Sequence, residues 1–106
     1  MTSQHAHILL QFQSCIPLLE VLTDANRQAI IMLLSQHKSG LNVNTISEHI
    51  NLSRPAVSHH LKILKQSGFI SLEKKGVENY YLLTLREPLQ KLKSLIVNIE
   101  NECQGS

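Results

Sequence analysis

Leu52-Ser53-Arg54-Pro55-Ala56-Val57-Ser58-His59-His60-Leu61-Lys62-Ile63-Leu64 is the stretch that decides how this chain folds. Val57, Leu61 and Leu64 recur at helical spacing, with Ala56 and Ile63 beside them, so one face of a helix is made to be buried. Ser53 suits the N-cap, where a hydroxyl accepts from first-turn amides. Arg54-Pro55 occupies the first turn, where the missing proline N–H costs nothing. Gly68 ends the helix. The opposite face carries Arg54, Pro55, Ser58, His59, Lys62 and Lys65 or Gln66. That set is cationic and rich in hydrogen-bonding groups.

Just upstream, Asn44-Thr45 starts a short helix that buries Ile46 and Ile50 at i, i+4. Asn51 then accepts the left-handed turn conformation. A helix of about seven residues, a tight turn and a longer helix make the helix-turn-helix plan, here over 44–66. Downstream the period changes to that of strands. Phe69 to Leu72 runs into Glu73-Lys74-Lys75-Gly76, and Asn79 to Leu83 is again apolar and aromatic. Two such runs around a charged, glycine-containing loop predict a hairpin, or wing, over 69–84.

Further out, Asp24 caps a helix bearing Ile30, Leu33, Leu34 and His37, stopped by Lys38-Ser39-Gly40. Near the N-terminus, Pro17 permits two readings: a short helix over 4–13 followed by a second capped by Ser14, or one kinked helix. After Glu87-Pro88, the residues Leu89, Leu92, Ile96, Ile99 and Cys103 repeat at 3-4-3-4 spacing, with Leu95 adding width. This seam packs either on its own subunit or against a partner. The expected fold is mainly α with a small β-hairpin, a single winged helix-turn-helix domain over 1–106.

Composition supports a DNA-binding reading more by distribution than by total. The 106 residues carry a net charge of only +2, and aromatics make up 4%, so the core is aliphatic. Residues 53–75 hold five Lys/Arg against one Glu, while each flank is net −1. The excess sits on the predicted reading helix and wing. No stretch is long and apolar enough for a bilayer span, no signal peptide is expected, and two cysteines are too few for a disulfide framework. The expectation is a cytoplasmic protein with reduced thiols and no membrane partner. Enzyme signatures are absent: no phosphate loop, no nucleophile elbow, no His-Glu-x-x-His. An enzyme is not expected.

The stretches Leu22 to Arg27, Leu52 to Leu64, Gly68-Phe69-Ile70 and Asn79 to Leu83 together resemble the ArsR/SmtB repressors, in the same order over about residues 16–100. Leu52 to Leu64 is the most specific part. The resemblance implies a homodimer paired through its first and last helices (4–22 and 87–103) that binds a palindromic operator in double-stranded DNA and represses transcription. Contacts to DNA are expected from Ser53, Arg54, Pro55, Ser58, His59 and Lys62, and from Lys74 and Lys75 on the wing. The wing departs from relatives that carry several arginines there, since Glu78 follows the two lysines. The competing reading is a winged-helix module that uses the same surfaces on a polypeptide.

Many relatives release DNA on binding metal. A Cys-Val-Cys site of the family falls here on Asn42-Val43-Asn44, and amides are poor ligands for soft metals or zinc. A second family site falls on Leu85, Glu87, Asn98 and Asn101, where only Glu87 ligates well. No metal and no cofactor are expected. Cys15 and Cys103 lie on the elements that the family uses to dimerise. They offer either a thiol switch of an unidentified effector, or a buried filler and a terminal residue. His5 and His7 diverge on a helix and share an ion only on a strand, and His59 and His60, neighbours on a helix, point too far apart to chelate as a pair.

Overall fold

The backbone of α4 (Arg54–Gln66) begins where Ser53 accepts the Ala56 amide at 3.3 Å, and its inner stripe of Val57, Leu61 and Leu64 is sealed from solvent. The computed structural model describes residues 3–103, and the remaining elements are α1 (Ser3–Leu22), α2 (Ala25–Ser35), α3 (Val43–Ile50), β1 (Ile70–Lys75), β2 (Glu78–Leu83) and α5 (Arg86–Cys103). Around the α4 stripe close Ile30 and Leu34 of α2, Ile46 of α3, and Phe69 and Ile70 at the root of the hairpin. This is the mainly α, winged helix-turn-helix architecture expected.

The turn between α3 and α4 rests on Asn51, which takes the left-handed conformation at φ 60, ψ 46. Ser47 braces it from both sides. Its carbonyl accepts the Asn51 amide at 3.0 Å, and its hydroxyl donates to the Leu52 carbonyl at 2.5 Å. Helix α3 starts one residue earlier than Asn44, because Asn42 supplies the cap through its bond from the Thr45 amide at 2.9 Å. Helix α2 ends at Ser35, so His37 does not extend its buried stripe. Instead the His37 ring meets that of His49 edge-on, with centroids 6.4 Å apart.

The two strands pair antiparallel from Ile70↔Leu83 to Lys75↔Glu78, joined by Gly76-Val77. Gly76 sits at φ 64, as the first central position of a two-residue hairpin turn requires. Leu41 docks alongside Tyr81 through a pair of backbone bonds of 3.1 and 2.8 Å. Gly40 makes that approach possible. At φ 90, a Cβ there would lie 2.9 Å from Leu82 Cγ and 3.0 Å from the Tyr81 carbonyl.

Helix α1 is continuous through Ser14 and Pro17, so the two-helix reading is replaced by the single-helix one. Helix α5 holds it together from the side. Gln11 Nε2 donates to Ser94 Oγ at 3.4 Å, Asn98 Nδ2 donates to Gln11 Oε1 at 2.8 Å, and Cys15 Sγ lies 3.8 Å from the Lys91 carbonyl. These tertiary contacts outweigh the loss of one backbone bond at proline. The predicted α5 seam is divided between two faces. Leu95 is buried with Leu92 and Ile99 against Ile8 and Cys15, whereas Leu89 and Ile96 face outward.

Helices α1 and α2 meet at 82°. Arg27 locks the corner, its Nε donating to the Val21 carbonyl at 2.8 Å and its Nη2 to that of Glu20 at 3.3 Å. A cation at the carbonyl end of α1 is also favourable to the helix dipole. The cap at Asp24 accepts from the amides of Arg27 and Asn26. The Arg27 amide bond, aided by the charge of Arg27, holds the Asp24 carboxyl below its ordinary range. A carboxyl lowered on folding adds stability above its unfolded pKa, and that contribution disappears as pH falls through the folded value. Asp24→Asn keeps a capping oxygen but cannot titrate. Its melting temperature should therefore fall less than that of the wild type between pH 7 and pH 3. Equal losses across that range would contradict this account of the cap.

Candidate nucleic-acid interface

The exposed face of α4 holds Arg54, Pro55, Ser58, His59, Lys62, Lys65 and Gln66, all turned from the core by the Val57-Leu61-Leu64 stripe. Among the described residues, the side chains of Arg54, Ser58, Lys62 and Lys74 form no intramolecular hydrogen bond or ion pair. Their donors are therefore available to a ligand. Guanidinium and ammonium groups suit guanine edges and phosphates, and a serine hydroxyl suits either. His60 is not part of this face. It is half-buried, and its Nδ1 lies 3.3 Å from Arg27 Nη1. Since a guanidinium only donates, Nδ1 must accept.

A cleft of about 240 Å³ separates this face from the wing, lined by Asn42, Asn44, Arg54, Ser58, Glu78 and Asn79 among others. Lys74 stands exposed on the wing and makes no bond within the chain. Lys75, also exposed, is engaged within the chain. Its Nζ donates to the Ser39 carbonyl at 2.8 Å and lies 4.9 Å from the centre of the Tyr80 ring. The cation is folded back across the hairpin, because a carbonyl and a π-face are both within reach of its stem.

Sequence reading also missed Asn42, Glu78 and Tyr80. Asn42 caps α3 with its oxygen and donates its Nδ2 to Glu78 Oε2 at 3.2 Å, and the Tyr80 hydroxyl donates to the same oxygen at 3.1 Å. The Asn42 side chain, which the resemblance sets at a thiolate position, is thus occupied by hydrogen bonds. Among the described residues, no group of three or more His, Cys, Asp or Glu side chains converges. The cap was readable in principle, since Asn42 stands three residues before Thr45.

Cys15 is 2% exposed in the α1–α5 contact. Lys91, which it faces, lies twelve residues before Cys103 on α5, a rise of about 18 Å at 1.5 Å per residue. A disulfide needs Cα atoms within about 7 Å, so the two cysteines of one protomer do not bridge. The Cys103 side chain lies outside the described residues.

The family model for "Bacterial regulatory protein, arsR family" matches residues 24–71, from the α2 cap to the first strand. The transcriptional repressor SdpR of Bacillus subtilis (strain 168) is 43% identical over 65 residues, covering 60% of this chain and 69% of that repressor. The chain belongs to the ArsR family. This ArsR-family chain is also similar to the crystal structure of a possible transcriptional regulator for arsenical resistance, at 30% identity and a TM-score of 0.64, over 76% of this chain and 81% of that one. The solution structure of a homodimeric winged helix-turn-helix DNA-binding domain from Mycobacterium bovis, a possible ArsR-family regulator, shares the fold. It aligns with a TM-score of 0.65 at 20% identity, over 100% of this chain and 95% of that one. The family is one of transcriptional regulators, and the chain is not an enzyme. Among the described residues, no single helix is long and apolar enough to cross a membrane.

Proposed function

We propose that the chain is a homodimeric repressor that reads a palindromic operator with α4, places Lys74 of each wing on the flanking backbone, and pairs through α1 and α5. The observation that carries this reading is the uncommitted donor face of α4, opposite a fully buried stripe on the same helix. Ser53, Arg54, Pro55, Ser58, His59 and Lys62 are its contact residues, and Ser53 keeps its hydroxyl on the helix cap while its turn faces a phosphate. Two such helices about 34 Å apart meet successive major grooves. Doubling the sites also doubles the basic charge, so binding weakens steeply with salt.

Pairing is supported by shape and by surface. A chain of 106 residues packed as one globule has a radius of gyration of about 13 Å, whereas this protomer measures 16.8 Å and is 53 Å long. The excess length belongs to a protomer whose α1 and α5 expose Leu9, Leu10, Phe12, Ile16, Leu19, Leu89 and Ile96. Such a surface is too apolar to stay bare. Any release signal acting through Cys15 has to open the α1–α5 contact, because the thiol is sealed within it. A buried filler is the role that its packing supports.

Selection from random duplexes tests the reading, with competition by singly substituted operators as the second step. Arg54→Ala should flatten discrimination at one base position by about 1–3 kcal/mol, whereas Lys74→Ala should weaken all sequences alike and lower the salt slope by about one per contact. A protein that selects no duplex at low salt is instead the polypeptide-binding module.

A further inference from the structure

We infer that Glu78 is a positioning residue for DNA binding, holding the wing at a fixed angle to the helix-turn-helix through Asn42 and Tyr80, with Lys75 as a strut and not a phosphate contact. This rests on the reading of α4 and Lys74 as the DNA surface and adds what sets their relative geometry. A carboxylate beside a cationic reading helix ought to repel a polyanion, so its presence at the mouth of the cleft needs a reason. The structure supplies one. A single Glu78 oxygen receives both the Asn42 amide, at 3.2 Å, and the Tyr80 hydroxyl, at 3.1 Å. Asn42 is simultaneously the cap of α3, so the bond ties the tip of the wing to the first helix of the motif.

Lys75 closes the network from the other side. It pairs across the ladder with Glu78 yet bypasses it, passing over the Tyr80 ring to the Ser39 carbonyl. Ser39 lies two residues before Leu41, which carries the backbone bridge to Tyr81 on the second strand of the wing. The hairpin is therefore fastened to the segment before α3 on its second strand by backbone and near its tip by side chains. The bond to the Glu78 carboxylate, with its charge, holds the Tyr80 phenol above its ordinary range. Lys74, on the opposite face of β1 from Lys75, is left to point away from the network.

The test measures operator affinity and its salt dependence for Glu78→Ala, Glu78→Gln, Tyr80→Phe, Lys74→Ala and the Glu78→Ala/Lys74→Ala pair, using the operator that the wild type selects. Glu78→Ala should bind about ten-fold more weakly although it removes a negative charge, the opposite of the electrostatic expectation. Glu78→Gln keeps an acceptor oxygen and should stay within about three-fold of the wild type. Tyr80→Phe removes one hydroxyl from a partly exposed ring, so it leaves melting unchanged and should weaken binding by a few-fold. Lys74→Ala should cost much less when Glu78 is already alanine, because an unfastened wing no longer presents Lys74. Lys75→Met added to Lys74→Ala should lower the salt slope no further than Lys74→Ala alone, where loss of an independent phosphate contact would lower it by about 0.9 more. Wild-type-like or tighter binding by Glu78→Ala, or additive losses in the pair, would overturn the assignment of Glu78 alone. A wild type that selects no duplex overturns the DNA reading with it.

Discussion

Ile96→Glu is expected to split the proposed dimer and to weaken binding to the selected duplex by at least about a hundred-fold, while each protomer stays folded. Ile96 is 58% exposed on the outer face of α5, on the same line as Leu89 one heptad earlier, so nothing inside the protomer depends on it. Placed against a second apolar helix, the new carboxylate loses hydration without gaining a partner, and the cost is met twice in a symmetric interface. The effect on DNA follows from geometry. With two linked reading helices, the second half-site is bound as an intramolecular event, and severing the link discards that advantage without touching a base contact. Sedimentation velocity reads the mass, and operator titration reads the affinity. Leu10→Glu, on α1 at 64% exposure, should act alike. If both variants remain dimeric and bind as the wild type does, the pairing surface lies elsewhere.

That expectation also shows where sequence reading stops. The spacing Leu89, Leu92, Ile96, Ile99 reads as one stripe, but the helix turns it partly toward α1 and partly outward, with Leu95 as the most buried member. A stripe records that a helix is apolar on one side and not which of two neighbours covers each residue. Around α4 no such choice arises. Ser53, the Val57-Leu61-Leu64 stripe, Asn51 and Gly68 are local signals whose partners lie within a turn or are simply the core, and each is found in its expected role. Lys75 and Glu78 show the opposite case. Lys75 reads as a contact to DNA and Glu78 as an isolated wing acid, whereas their partners within the chain, Ser39 and Asn42, are each thirty-six residues distant in sequence. Charge content predicts a basic surface, whereas the direction of one flexible side chain depends on contacts that only folding brings near. Pro17 failed as a break signal for the same reason, since the α5 contacts that hold α1 on either side of Ser14 come from residues more than seventy positions away.

Phe69→Ala is the substitution expected to cost most in stability, about 3–5 kcal/mol, a large share of the 5–15 kcal/mol available to a domain. The chain has two phenylalanines, and Phe12 is 43% exposed, so Phe69 is the single large ring sealed within an otherwise aliphatic core. Its position multiplies the effect. The Phe69 amide donates to the Leu64 carbonyl at 3.0 Å, and its own carbonyl accepts the Thr84 amide at 2.9 Å. The ring thus sits where the end of α4, the start of β1 and the exit from β2 converge, and a cavity there loosens the wing and the reading helix together. Neighbours such as Leu64 and Ile70 are held by their own helix and strand and can collapse only partly into the void. Phe69→Leu keeps most of the volume and should lose less than about 1.5 kcal/mol. Urea denaturation followed by circular dichroism, at one fixed protein concentration so that dimerisation contributes equally, separates the two variants. A loss below about 1 kcal/mol for Phe69→Ala would mean that the ring fills space the aliphatic side chains can occupy without it.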